Sequence, residues 1–250
     1  MCTSRKLRLL CLHGMYQDAI TFASKTNLLR HANAGVNFVY LDGPFTIVPP
    51  ILKKAEFRAW WRPLSAHEDD FSQLDSDRSV LISYLRQKLD EIGTVDGVIG
   101  FSQGASLAAW MCSKQARAEL QWSPKVVVLI GSYLSYPPFS LDSGIISGMA
   151  SLHMFGSNDY VIPAAKSQQV MNIFKKHETT NYPVLTSVHT QGHVIPKCDK
   201  SIKLFESFIS DQQQKLHGCS SISSSRSLET CEREELTPSE AQASQRVCMV

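Results

Sequence analysis

A serine flanked by glycines two positions away on each side, Gly100-Phe101-Ser102-Gln103-Gly104, follows the β-branched pair Val98-Ile99 and precedes the helix-forming stretch from Ala105 to Met111. That pattern predicts a strand, a sharp turn and a helix, with Ser102 at the apex. Small flanking residues suit such a turn, because the apical backbone is strained and its neighbours are crowded. The hydroxyl would then sit at the carboxyl end of a strand, beside the positive end of a helix dipole. A serine hydroxyl is a weak nucleophile until a neighbouring base takes its proton, and neutral histidine suits that task near pH 7. An acid that fixes the histidine tautomer completes the set. Asp159 follows an expected strand at residues 151–156, and His193 follows another at 184–188. Nucleophile, acid and base thus each come at the carboxyl end of a strand, where open parallel sheets place their sites.

The alternatives are weaker. His189 lies in the same loop as His193, but Gly192 before His193 and Pro196 after it mark a stiff turn. His13 fits a structural role better than that of a base. Asp42 and Asp142 fall at the wrong points in the order nucleophile, acid, histidine along the strand ends. Ser132 follows Gly131 in what reads as a chain reversal. An oxyanion needs two backbone N–H donors. One is expected from Gln103, directly after the nucleophile. The other is expected from the loop after the first strand, at Met15 with Tyr16 as the near alternative, because a doubly wound order sets that strand beside the elbow strand.

The positioning elements read as alternating strands and helices. Strands are expected at residues 7–12, 36–41, 98–101, 125–130, 151–156 and 184–188. Helices are expected at 18–31, 75–92, 103–118, 164–177 and 200–214. The fold class is therefore α/β, with a mainly parallel, doubly wound sheet flanked by helices in one domain, residues 1–214. Residues 45–70, with Pro49-Pro50 and the cluster Phe57, Trp60, Trp61, form an irregular insertion suited to a lid or pocket wall, the plainer option being that the tryptophans cover the core edge. Tyr133 begins a second excursion, at 133–148. Together with Tyr16 and Val161, these segments are expected to shape an apolar pocket for medium or long acyl chains. From residue 215 onward, the Ser- and Glu-rich composition predicts a disordered tail.

Composition narrows the function classes. The 250 residues carry a net charge of only +2, which predicts neither nucleic-acid binding nor attraction to acidic membranes. Seven cysteines show no CxxC pair, and their scatter fits reduced thiols in the cytoplasm. No apolar run reaches the ~18 residues of a membrane span, and the run after the N-terminal basic residues is too short for a signal-peptide core.

The chain resembles the FSH group, the "family of serine hydrolases" within the α/β-hydrolase superfamily. The likeness rests on Leu10-Cys11-Leu12-His13-Gly14, Asp42-Gly43-Pro44-Phe45, Arg58-Ala59-Trp60-Trp61, Gly100-Phe101-Ser102-Gln103-Gly104-Ala105, Gly156-Ser157-Asn158-Asp159-Tyr160-Val161-Ile162-Pro163 and Gly192-His193-Val194-Ile195-Pro196. It implies Ser102 as nucleophile, Asp159 as acid and His193 as base, in agreement with the residue-level assignment. It also implies a carboxylic ester or thioester substrate, with no metal or organic cofactor. Some members release acyl chains from carrier proteins, so an acyl-thioesterase is the alternative to an esterase, and an acyl-carrier protein is the partner it would bring. A non-catalytic binding module is a third option, disfavoured by the complete set of three residues.

Overall fold

The computed structural model describes residues 5–33, 35–48, 56–63, 72–135 and 139–217, all within one compact unit, Met1–Gly218. Six strands build the central sheet: β1 (Leu7–Leu12), β2 (Val36–Leu41), β5 (Gly97–Phe101), β6 (Val126–Ile130), β7 (Ala150–Gly156) and β8 (Val184–His189). Their order is β2-β1-β5-β6-β7-β8, and every neighbouring pair is parallel. The chain winds outward from β1 to β2, returns to β5 beside β1, and then proceeds the other way. The reversal lies between β1 and β5, as the doubly wound pattern requires.

Alternation along each strand divides the core. Leu10, Leu12, Val98, Val127 and Leu129 face one apolar layer, and Leu9, Cys11, Ile99, Val126, Val128 and Ile130 face the other. Strands covered on both faces read as unbroken apolar runs, which is why β5 and β6 were legible. The first layer packs under α3 (Ser72–Ile92), α4 (Gln103–Met111), α5 (Lys114–Leu120) and α6 (Ala164–Lys175), while α7 (Asp199–His217) covers the second.

Three expectations need adjustment. The helix expected at 18–31 divides into α1 (Ala19–Lys25) and α2 (Asn27–His31). Asp18 caps α1 through the Thr21 N–H at 2.6 Å, and Thr26 ends it by donating its hydroxyl to the Phe22 carbonyl at 2.8 Å. The helix expected at 103–118 likewise breaks at Ser113, whose backbone is extended and whose hydroxyl accepts from the Ala116 N–H at 3.0 Å, an N-cap of α5. The insertion carries a small antiparallel pair, β3 (Phe45–Ile47) and β4 (Phe57–Ala59), in place of wholly irregular chain. Pro49-Pro50 and Pro137-Pro138 lie outside the described residues. So does the tail from residue 218; the last helix continues to His217, past the expected end at 214.

Three buried histidines make stability depend on pH. Burial lowers the pKa of His13 and His189, and takes His153, on β7 against the Phe174 ring, down to about 3 from 6.5. His153 stays neutral in the fold while the unfolded chain takes up a proton. Its contribution is therefore complete above about pH 6.5 and is lost as the pH falls toward 3. Urea unfolding at successive pH values below 6.5 should show stability falling by up to about 1.4 kcal/mol per pH unit for each such group. His153→Gln should flatten that slope by one proton.

Candidate active site

The elbow at Ser102 follows directly from its neighbours. Ser102 has φ 53° and ψ −118°, a left-handed conformation that a side-chain-bearing residue holds only when its surroundings enforce it. Its N–H donates to the Ile130 carbonyl on β6 at 2.9 Å, and its carbonyl accepts from the Ala105 and Ser106 N–H groups that open α4. A Cβ at Gly100 would overlap the Gly104 carbonyl, and one at Gly104 would overlap the Leu12 and His13 carbonyls. Both glycines are thus required by close backbone approach, and Gly104 lets α4 press against the end of β1.

His193 and Asp159 arrive from the ends of β8 and β7. The His193 Nε2 lies 2.8 Å from the Ser102 Oγ, and its Nδ1 lies 2.7 Å from the Asp159 Oδ2. The other carboxylate oxygen of Asp159, Oδ1, accepts from the Val161 and Ile162 N–H groups at 2.9 and 2.8 Å. With the carboxylate so oriented, Nδ1 carries the proton and Nε2 offers its lone pair to the serine. The imidazole also packs against Phe101, ring centroids 4.8 Å apart. His189, by contrast, is buried with neither ring nitrogen hydrogen-bonded among the described residues.

The loop after β1 is held by His13. Its Nε2 accepts from the Gly43 N–H at 2.8 Å and its Nδ1 pairs with the Gly14 carbonyl at 2.8 Å, which together define a neutral ring. Burial lowers its pKa and favours that state. The Tyr16 N–H is engaged by the Arg58 carbonyl at 3.2 Å. The Met15 N–H makes no hydrogen bond among the described residues. Gln103 opens α4, where backbone N–H groups lack intrahelical acceptors. Its side chain has a role that sequence reasoning missed: Oε1 accepts from the Trp60 N–H at 3.0 Å, and Nε2 donates to the Trp61 carbonyl at 2.8 Å. The glutamine thus ties the insertion to the elbow.

A cavity of about 480 Å³ opens over Ser102. Met15, Tyr16, Gln103, Tyr133 and Val161, all expected there, line it, with Tyr133 held by paired hydrogen bonds to the Ser106 hydroxyl. Trp60 and Trp61 do not reach it. Trp60 is fully buried, donating its indole N–H to the His13 carbonyl at 2.8 Å, and Trp61 stacks on Phe139 at 4.8 Å. They cover the core and support the loop from behind, so the plainer alternative holds for this pair. Sequence reasoning also missed Lys25 and Lys197 in the cavity lining. No cluster of His, Cys, Asp and Glu among the described residues is arranged to hold a metal ion.

The parallel sheet, its reversal point and the strained elbow define an α/β-hydrolase fold. Solved structures share it: a Bacillus cereus carboxylesterase superposes with TM-score 0.61 at 17% identity, covering 84% of this chain and 90% of its own. A Zea mays acyl-protein thioesterase 2 does so with TM-score 0.55 at 18% identity, covering 82% and 95%. Within that fold the chain belongs to the FSH1 serine hydrolase family, whose sequence model matches residues 2–204. The Mus musculus protein named esterase OVCA2 is 29% identical over 232 residues, covering 84% of this chain and 98% of the mouse protein.

Proposed function

We propose that this serine hydrolase cleaves carboxylic esters through an acyl-enzyme on Ser102. The observation that carries this is the unbroken hydrogen-bonded line from Ser102 through His193 to Asp159, opening on a cavity whose exposed wall is mainly apolar. As the Ser102 oxygen bonds to the carbonyl carbon, its proton passes to His193 Nε2, and Asp159 stabilises the imidazolium. The N–H groups of Gln103 and Met15 hold the oxyanion. Collapse of the tetrahedral adduct breaks the bond to the leaving alkoxide, which takes the proton from His193. A water then repeats the sequence on the acyl-enzyme and releases the acid.

Phe101, Ile162 and Ile195 in the cavity lining favour a medium or long acyl chain. A thioester would follow the same steps, with a thiolate leaving, and the fold shared with a maize acyl-protein thioesterase leaves both open. The thiols of Cys11, Cys112 and Cys198 support a reducing compartment such as the cytoplasm, and no helix among the described residues is long and apolar enough to cross a membrane. A fluorophosphonate probe tests the nucleophile. Wild type should be labelled stoichiometrically and Ser102→Ala not at all, and equal labelling of the two would sink the assignment. A chain-length series of matched esters and thioesters, compared by kcat/KM, then assigns the substrate class.

A further inference from the structure

We infer that the mouth of the cavity recognises an anionic group on the substrate through Lys25 and Lys197; the inference rests on the hydrolase reading above. The two lysines come from unrelated segments, the last residue of α1 and the loop after His193, yet line the same cavity. Both are exposed, and neither forms an ion pair among the described residues. Among the described residues, no carboxylate lines the cavity with them.

Three acidic side chains on the segments that build the site are already engaged. Asp159 is held by His193 and by the Val161 and Ile162 N–H groups. Asp18 caps α1, and Asp42 accepts from the Ala19 N–H. An apolar chamber rimmed by two uncompensated ammonium groups favours a ligand with an apolar body and an anionic substituent remote from the scissile carbonyl. The anion can sit on the acyl chain, as a second carboxylate, or on the leaving group, as a phosphate. In either case the lysines act on substrate selection, through Coulomb attraction that remains partly screened at an exposed rim.

Two substrate pairs separate the sources. An ω-carboxyacyl p-nitrophenyl ester is compared with its ω-carboxamide isostere, and an acyl-coenzyme A thioester with the corresponding neutral N-acetylcysteamine thioester. In one pair or the other the kcat/KM ratio, anionic over neutral, should be about tenfold, as two partly screened pairs permit. It should fall toward unity in the Lys25→Gln/Lys197→Gln double variant and in 0.5 M NaCl. Because both members of a pair report on the same enzyme preparation, partial misfolding of the variant cancels in the ratio. Ratios near unity for both pairs in wild type, or a preference that survives the double substitution, would overturn the inference while leaving the hydrolase assignment intact. If neutral esters are not turned over and the fluorophosphonate probe does not react, it is the hydrolase reading that fails. Calorimetric binding of the ω-carboxy acid against its ω-carboxamide to Ser102→Ala still decides the anion preference. Tighter binding of the acid, or of coenzyme A over N-acetylcysteamine, supports it, and equal binding within both pairs overturns it.

Discussion

Asp159→Asn is expected to lower kcat by about 10⁴-fold with KM little changed. The size of the effect follows from how the carboxylate is held. Oδ1 accepts from two backbone N–H groups, at Val161 and Ile162, so an asparagine must keep its carbonyl oxygen there. Its amide nitrogen is then forced to the Oδ2 position, 2.7 Å from His193 Nδ1. An NH₂ group in that place can only donate. Nδ1 must accept, the ring proton moves to Nε2, and the serine faces a donor in place of a base. The substrate cavity is untouched, so the loss appears in turnover. Steady-state kinetics with a chromogenic ester, alongside the rate of fluorophosphonate labelling, checks this. A variant within tenfold of wild type in both would show that Asp159 does not orient the base.

Gly104→Ala should destabilise the fold by about 3 kcal/mol or more, beyond the usual cost of one added methyl. The new Cβ has nowhere to go, since it would overlap the carbonyl oxygens of Leu12 and His13, backbone atoms that end β1 and cannot rotate aside. Relief requires α4 to move off β1, which separates the Gln103 backbone from the loop that carries Met15. Urea unfolding should give a lower midpoint, and residual native protein should hydrolyse esters poorly. The same change at Gly93, where a Cβ meets nothing within 4 Å, carries only the left-handed backbone strain at φ 74° and serves as the comparison.

How far the molecule was legible depended on whether a feature was written locally. β6 could be read because five consecutive buried residues announce a strand covered on both faces. The convergence of Ser102, Asp159 and His193 could be anticipated because each follows such a strand. The helix breaks at Thr26 and Ser113 were hidden, since the apolar periodicity runs on while a hydroxyl decides the cap. Whether Trp60 and Trp61 wall the pocket or cover the core stayed open for a related reason. Their burial depends on acceptors and donors at His13 and Gln103, which are 47 and 42 positions away. Met15 was preferred to Tyr16 from position alone, and the Arg58 carbonyl that engages the Tyr16 N–H is a distant partner of the same kind. Lys25 and Lys197 look like ordinary surface lysines in the chain, and only their convergence on one cavity distinguishes them.

Gln103 has its backbone N–H beside the nucleophile and its side chain clamped to the insertion through Trp60 and Trp61. One residue thus faces two masters. Under the function proposed above, drift in the β3–β4 pair, even at positions that never meet a substrate, would be transmitted to the Gln103 N–H. In evolutionary terms the insertion would then be a tuning element for rate, coupled to the cavity wall where Arg58 meets Tyr16 and Gln17. Substitutions in the hairpin core, behind Trp60 and Trp61, would change turnover before they change substrate choice.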